Sequence, residues 1–159
     1  MEIVPAYGCE AEMLELVVEY INDIVKKDAE VAEVLQSQHL NDELKDMKIK
    51  YGLPDGRMYL AIVDGITAGC VALTRNDDEY CEIKRLYLRP QFRGRGISKA
   101  LTDKVISDAK DIGYKHMRLD TFPFMETAIR LYKEYGFYCI ERYNDNPAKS
   151  AIFMQLDLG

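Results

Sequence analysis

Between Ile83 and Ile112 the chain must pass from an extended to a helical repeat within a few residues, and two glycines sit at the change. Ile83 to Leu88 is a β-prone run, Pro90 ends it, and Gly94 and Gly96 follow. From Ile97 the apolar positions Ala100, Leu101, Val105, Ala109 and Ile112 recur at helical spacing. A strand that feeds a helix through a glycine turn leaves the first N–H groups of the helix unbonded and facing the turn, which is a seat for an anion. Gly94 and Gly96 permit positive φ and a close approach of the main chain to phosphate oxygens. Charge points the same way. Lys84 to Lys99 holds six basic residues (Lys84, Arg85, Arg89, Arg93, Arg95, Lys99) and no acid, in a chain of formal net charge -6. Arg93 and Arg95 can add charge-assisted bonds, so the segment reads as a pyrophosphate site.

Two common phosphate motifs fail. G-x-x-x-x-G-K-[ST] is absent, and G-x-G-x-x-G breaks at Lys99, where a third glycine should stand. Gln91-Phe92-Arg93-Gly94-Arg95-Gly96 instead has the form Q/R-x-x-G-x-G/A. Further on, Ala128-Ile129-Arg130-Leu131-Tyr132-Lys133-Glu134-Tyr135-Gly136-Phe137 has the form A-x-x-L-Y-x-x-x-G-F. In that order and separation the two motifs resemble the GCN5-related N-acetyltransferases, and the resemblance covers roughly Tyr59 to Leu158. It implies an α/β fold, with a central mixed, mostly antiparallel sheet of about 6–7 strands flanked by about four helices. It also implies acetyl-coenzyme A as co-substrate.

The chain taken in order suits that fold. Ile3 to Pro5 reads as a strand, and Glu10 to Lys27 as an amphipathic helix through Leu14, Val17, Val18, Ile21, Ile24 and Val25. A second helical region spans about Ala29 to Lys50, with a break expected at Asn41-Asp42. Strands are expected over Met58–Val63, Ile66–Thr74 and Tyr80–Leu88, the first two joined by an Asp64-Gly65 hairpin. After the helix ending at Gly113 come a strand (His116–Thr121), a helix (Met125–Tyr135), a strand (Phe137–Tyr143), a turn (Asn144–Pro147) and a last strand (Ala151–Leu158). One domain over 1–159 fits this length.

Composition narrows the partners. The acidic balance argues against nucleic acid and favours a cationic ligand such as an amine. The N-terminus MEIVPAYGCE lacks the basic and apolar regions of a signal peptide, and no apolar run reaches membrane-spanning length. Cys9, Cys70, Cys81 and Cys139 lack C-x-x-C spacing, so reduced thiols in a cytoplasmic protein are expected. His39 and His116 have no ligand-spaced partner, and no metal is expected.

Acyl transfer to an amine needs a neutral amine, a stabilised carbonyl oxygen and a proton for the leaving thiolate. Deprotonating an alkylamine at pH 7 costs roughly 4 kcal/mol, which calls for a carboxylate base. The resemblance points to Glu82 for that task or for holding the acceptor; Asp120, at the end of the next strand, is a second candidate. It gives the backbones of Leu86, Tyr87 and Leu88 to the pantetheine arm and thioester oxygen. It gives Arg93, Gly94, Arg95, Gly96, Ile97, Ser98 and Lys99 to the diphosphate, and the general acid to Tyr132. Two departures stand out: Met125 where the family often has asparagine, and Ser98 where it often has glycine. The polar stretch around Asn146 suits a loop over the acceptor.

The expected activity is therefore direct acetyl transfer to a primary amine of a small molecule or peptide, with neither nucleic acid nor membrane as partner. A homodimer is compatible with it. Two alternatives stay open: a coenzyme A-binding regulatory module without turnover, and an acyltransferase using a different acyl-coenzyme A.

Overall fold

The computed structural model describes residues 1–28, 30, 40–146 and 148–159. Strand β1 (Glu2–Pro5) leads into helix α1 (Glu10–Lys27), and two short helices follow, α2 (Leu40–Lys45) and α3 (Met47–Tyr51). A meander comes next: β2 (Arg57–Val63), β3 (Ile66–Arg75) and β4 (Tyr80–Leu88). A 3₁₀ turn (Pro90–Phe92) leads into α4 (Ile97–Ile112), then β5 (His116–Thr121), α5 (Glu126–Tyr135), β6 (Tyr138–Ile140) and β7 (Ile152–Asp157). The seven strands form one mixed sheet in the order β1-β2-β3-β4-β5-β7-β6. All neighbours run antiparallel except β4 and β5.

The local chemistry explains these elements. Asp64 and Gly65 both take positive φ, as the tight β2–β3 turn requires. α4 stops where Gly113 enters the left-handed region and donates its N–H to Ala109 O at 3.1 Å. The break expected at Asn41-Asp42 lies instead at Asp46, whose carboxylate accepts from Lys48 N at 3.0 Å and caps α3; Asn41 and Asp42 sit inside α2. Ala29, residues 31–39 and Pro147 lie outside the described residues, and with them Val31, Val34, Leu35 and His39. The strand expected over Phe137–Tyr143 shortens to β6. Phe137 turns into the core at the end of α5, and Arg142 donates to the carbonyls of Asn146 and Ala148, which draws the chain into a loop.

Each face of the sheet has its own core. One packs α4 and α5 against Ala61, Val71, Ile83, Met117, Leu119 and Met154. The other packs α1 and α3 against Met58, Leu60, Cys70, Ala72 and Tyr87. Among the described residues no helix is long and apolar enough to cross a membrane.

Candidate active site

β4 and β5 pair only at Tyr80–His116, Cys81–Met117 and Glu82–Arg118, although β4 has nine residues and β5 six. Beyond Glu82 the two strands part. A bulge in β4 accompanies the parting: Tyr87 faces Cys70 and Lys84 faces Ala72, so Arg85 and Leu86 together oppose Val71. Arg85 takes φ +60, a conformation that costs a side-chain-bearing residue about 1–2 kcal/mol. The bulge resets the alternation, and Lys84, Arg85 and Tyr87 come to the face covered by α1 to α3.

A cleft of about 510 Å³ occupies the parting. Tyr20, Asp23, Ile24 and Lys27 of α1 line it from one side, and Leu86 to Leu88 from the edge of β4. Arg93, Gly96 and the first turn of α4 (Ile97, Ser98, Lys99) close one end. Phe124 to Ala128 with Leu131 form the opposite wall. Gly96 is the residue before α4 and takes φ +77; the first intrahelical bond runs from Ala100 N to Gly96 O at 3.1 Å. The N–H groups of Ile97, Ser98 and Lys99 are thus outside the helical ladder and border the cleft. Nothing lies within 4 Å of a Cβ built on Gly94 or Gly96, so their conformation, not crowding, calls for glycine.

Of the ten residues expected to meet the coenzyme, Leu86, Tyr87, Leu88, Arg93, Gly96, Ile97, Ser98 and Lys99 border this cleft; Gly94 and Arg95 do not. The basic run divides. Arg89 clamps α1 to the end of β4 through Glu15 (2.9 Å) and Glu19 (2.7 Å). Arg85 is buried against Glu43, with bonds of 2.7 and 3.0 Å. Lys84 lies 3.5 Å from Glu82. Arg93 folds back on Leu88 O at 2.9 Å and 3.6 Å from Asp23, and Arg95 stacks over Phe92. Half of the run therefore ties the strand to helices on the face away from α4.

None of the chemical candidates Glu82, Asp120, Asn146 and Tyr132 is among the residues that border the cleft. Glu82 is buried, and its two oxygens accept from Asn76 Nδ2 at 3.1 Å and Lys84 Nζ at 3.5 Å. Asp120 accepts on one oxygen only, from Asn144 Nδ2 at 2.9 Å and Asn146 Nδ2 at 3.3 Å. Asn146 is buried, and its side-chain Oδ1 accepts the N–H of Ala148 at 3.0 Å. Tyr132 is buried on α5 with its ring tilted against Phe137 at 5.4 Å, and its hydroxyl has no hydrogen-bond partner among the described residues. Burial, then the neighbouring Tyr20 and Asp120, push its pKa well up. Desolvation likewise takes Tyr20 up to about 12, with Arg85 pulling down and Asp120 pushing up. Tyr20, Tyr132 and Asp120 thus share one electrostatic neighbourhood. Tyr20 was not a sequence candidate, because no motif falls on it and its place at the cleft depends on how α1 packs over β4, where its ring meets Tyr87 at 5.8 Å. Met125 borders the cleft next to Phe124, whose ring stacks on Phe122 at 5.5 Å, so the wall is apolar at this point, while Glu126 and Glu134 also border the cleft.

The family model described as acetyltransferase (GNAT) family matches residues 19–137. An uncharacterized N-acetyltransferase of Schizosaccharomyces pombe is 38% identical over 126 residues, which cover 78% of this chain and 77% of that protein. The crystal structure of a GNAT-family acetyltransferase from Staphylococcus aureus Mu50 is similar with a TM-score of 0.76 at 22% identity, covering 99% of each chain. A GNAT-family acetyltransferase from Elizabethkingia anophelis, solved with acetyl-CoA bound, is similar with a TM-score of 0.57 at 26% identity over 72% of this chain and 82% of that one. Matching motifs, a sheet that parts between two parallel strands and a family match over most of the length lead to one assignment: the chain belongs to the GNAT acetyltransferase family and is an acyltransferase.

Proposed function

We propose that the protein transfers an acetyl group from acetyl-coenzyme A to a primary amine of a small molecule or peptide, by direct attack on the thioester. The observation that carries this reading is the cleft beside the parted end of β4, bordered by the unbonded N–H groups of α4, the Leu86–Leu88 edge and Tyr20; the charge of Asp120 reaches both Tyr20 and Tyr132. The residues present fit the coenzyme. Ile97, Ser98 and Lys99 offer backbone donors to a diphosphate. The backbone edge of Leu86 to Leu88 suits the amide-bearing arm, and Phe124, Met125 and Leu131 supply an apolar wall.

Asp120 is our choice for the base. Its second oxygen accepts from no described residue, whereas both oxygens of Glu82 meet donors, one of them cationic. With both oxygens engaged, Glu82 orders the acceptor side of the sheet instead. Asn144 and Asn146 hold Asp120 in place. Tyr132 gives its proton to the departing thiolate; its burial keeps it protonated until that step. The bond to sulfur breaks as the amine nitrogen bonds to the carbonyl carbon, and the amine proton passes to Asp120. None of the four cysteines is needed as a nucleophile. All are free thiols, which supports a reducing setting such as the cytoplasm.

The test is release of free coenzyme A thiol from acetyl-coenzyme A across an amine panel. Amine-dependent release supports the reading. Tight coenzyme A binding without release by any amine overturns it in favour of a binding module.

A further inference from the structure

The bulge in β4 sets two cations side by side where simple alternation would send them to opposite faces. Lys84 and Arg85 both lie on the face covered by α1 to α3, at the point where β4 leaves β5. Lys50 of α3 joins them. The described carboxylates in this cluster are Glu43 and Glu82, so three positive charges meet two negative ones.

Their distribution is uneven. Glu43 takes two bonds from Arg85 and a third contact from Lys50 at 3.2 Å, while Lys84 has only Glu82, at 3.5 Å. Burial and the nearby Lys84 hold the Lys50 ammonium below its usual range, as expected where cations crowd. A second observation concerns Tyr51, which is fully buried beside the Glu43–Arg85 pair; its hydroxyl meets no described residue in hydrogen-bond geometry. Buried hydroxyls ordinarily have partners. Glu82 pairs with Arg118, so Lys84 and Asp120 each lie two residues beyond that last pair, across the parting from one another, and Met117 and Leu119 on the α4 side leave Asp120 on the same face as Lys84.

We infer that the acceptor carries a carboxylate as well as its amine, the amine lying toward Asp120 and the carboxylate toward Lys84, Lys50 and the Tyr51 hydroxyl. The substrate class is then an amino acid or another carboxylate-bearing amine, although the protein as a whole is acidic. This rests on the acetyltransferase reading above, because it names the substrate of the same site.

Matched acceptors test it: glutamate against its diamide, aspartate against its diamide, and 4-aminobutyrate against butylamine. Each amino acid is supplied free and as the first residue of a dipeptide amide, which separates an amino-acid acceptor from a peptide one. The carboxylate-bearing member of at least one pair should show kcat/KM about ten- to hundredfold higher, the value of a charge-assisted bond. Lys84→Gln, and independently Lys50→Gln, should narrow that ratio toward one through KM. Coenzyme A affinity, measured on the same samples, certifies the fold. Equal or better use of the uncharged partners in all pairs overturns the inference and leaves acetyl transfer standing. A ratio that survives both lysine replacements also overturns it. No thiol release with any acceptor, while coenzyme A still binds, removes the acetyltransferase reading and this inference with it.

Discussion

Replacing Glu43 by Gln leaves the Arg85 guanidinium buried opposite a neutral amide. Burial alone would raise the Glu43 carboxyl. The Arg85 hydrogen bonds and charge, with help from Lys50 and Lys84, outweigh it and bring the group down to about 2 from an ordinary 4.5. Through linkage that difference corresponds to about 3 kcal/mol of stability at neutral pH. Breaking a buried pair from one side costs about 3–5 kcal/mol by the same order, a large share of the roughly 5–15 kcal/mol of a typical domain. The sign follows from a folded-state value below the unfolded one. The contribution is complete above about pH 4.5 and is lost as pH falls toward 2. Urea unfolding of wild type and Glu43→Gln across pH 3 to 7 measures it. The gap should be about 3 kcal/mol or more at pH 7 and should shrink in acid. The double replacement Glu43→Leu with Arg85→Met should recover most of the loss, since a buried pair exchanged for apolar groups is often neutral. A single variant within about 0.5 kcal/mol of wild type at pH 7, the level of an ordinary surface change, would refute the reasoning.

The remaining predictions concern the site. Tyr132→Phe should lower kcat about 10²-fold or more, with coenzyme A affinity unchanged by calorimetry; unchanged turnover removes it from the mechanism. Asp120→Asn should lower kcat/KM by a similar factor and by more than Glu82→Gln does, read from steady-state rates on one acceptor; the reverse order reassigns the base. Gly96→Val should cost about 1–2 kcal/mol in thermal unfolding and weaken coenzyme A binding, because valine must adopt φ +77 at the mouth of α4; unchanged affinity would separate that turn from the diphosphate.

Much of this was legible in the sequence because it is written locally. The strand, the two glycines and the helical repeat after Ile97 lie within thirty residues of one another, and each of the two motifs that fix the order of the second half is a run of ten residues or fewer. What was not legible depends on partners far away in the chain. Arg85 and Arg89 belong to one basic run, yet their partners Glu43, Glu15 and Glu19 stand 42, 74 and 70 positions away. Nothing in Lys84-Arg85-Leu86 marks a bulge, since neither glycine nor proline is present and the strain falls on an arginine. Tyr20 was hidden for the same reason: no motif marks it, and only the packing of α1 over β4 brings it to the wall of the cleft.

Three strand pairs, with the N–H groups of Lys115 and His116 on Glu79 O beside them, stitch the four-strand leaf β1–β4 to the three-strand leaf β5–β7. So short a seam cannot fix the angle of an open book by itself. That falls to the core beneath α4, which reaches Val71 and Ile83 on one page and Met117, Leu119 and Met154 on the other. The helix whose mouth faces the cleft is therefore also the rivet through the spine, and loosening its inner side at Leu101 or Val105 would slacken the binding and unbind the pages together.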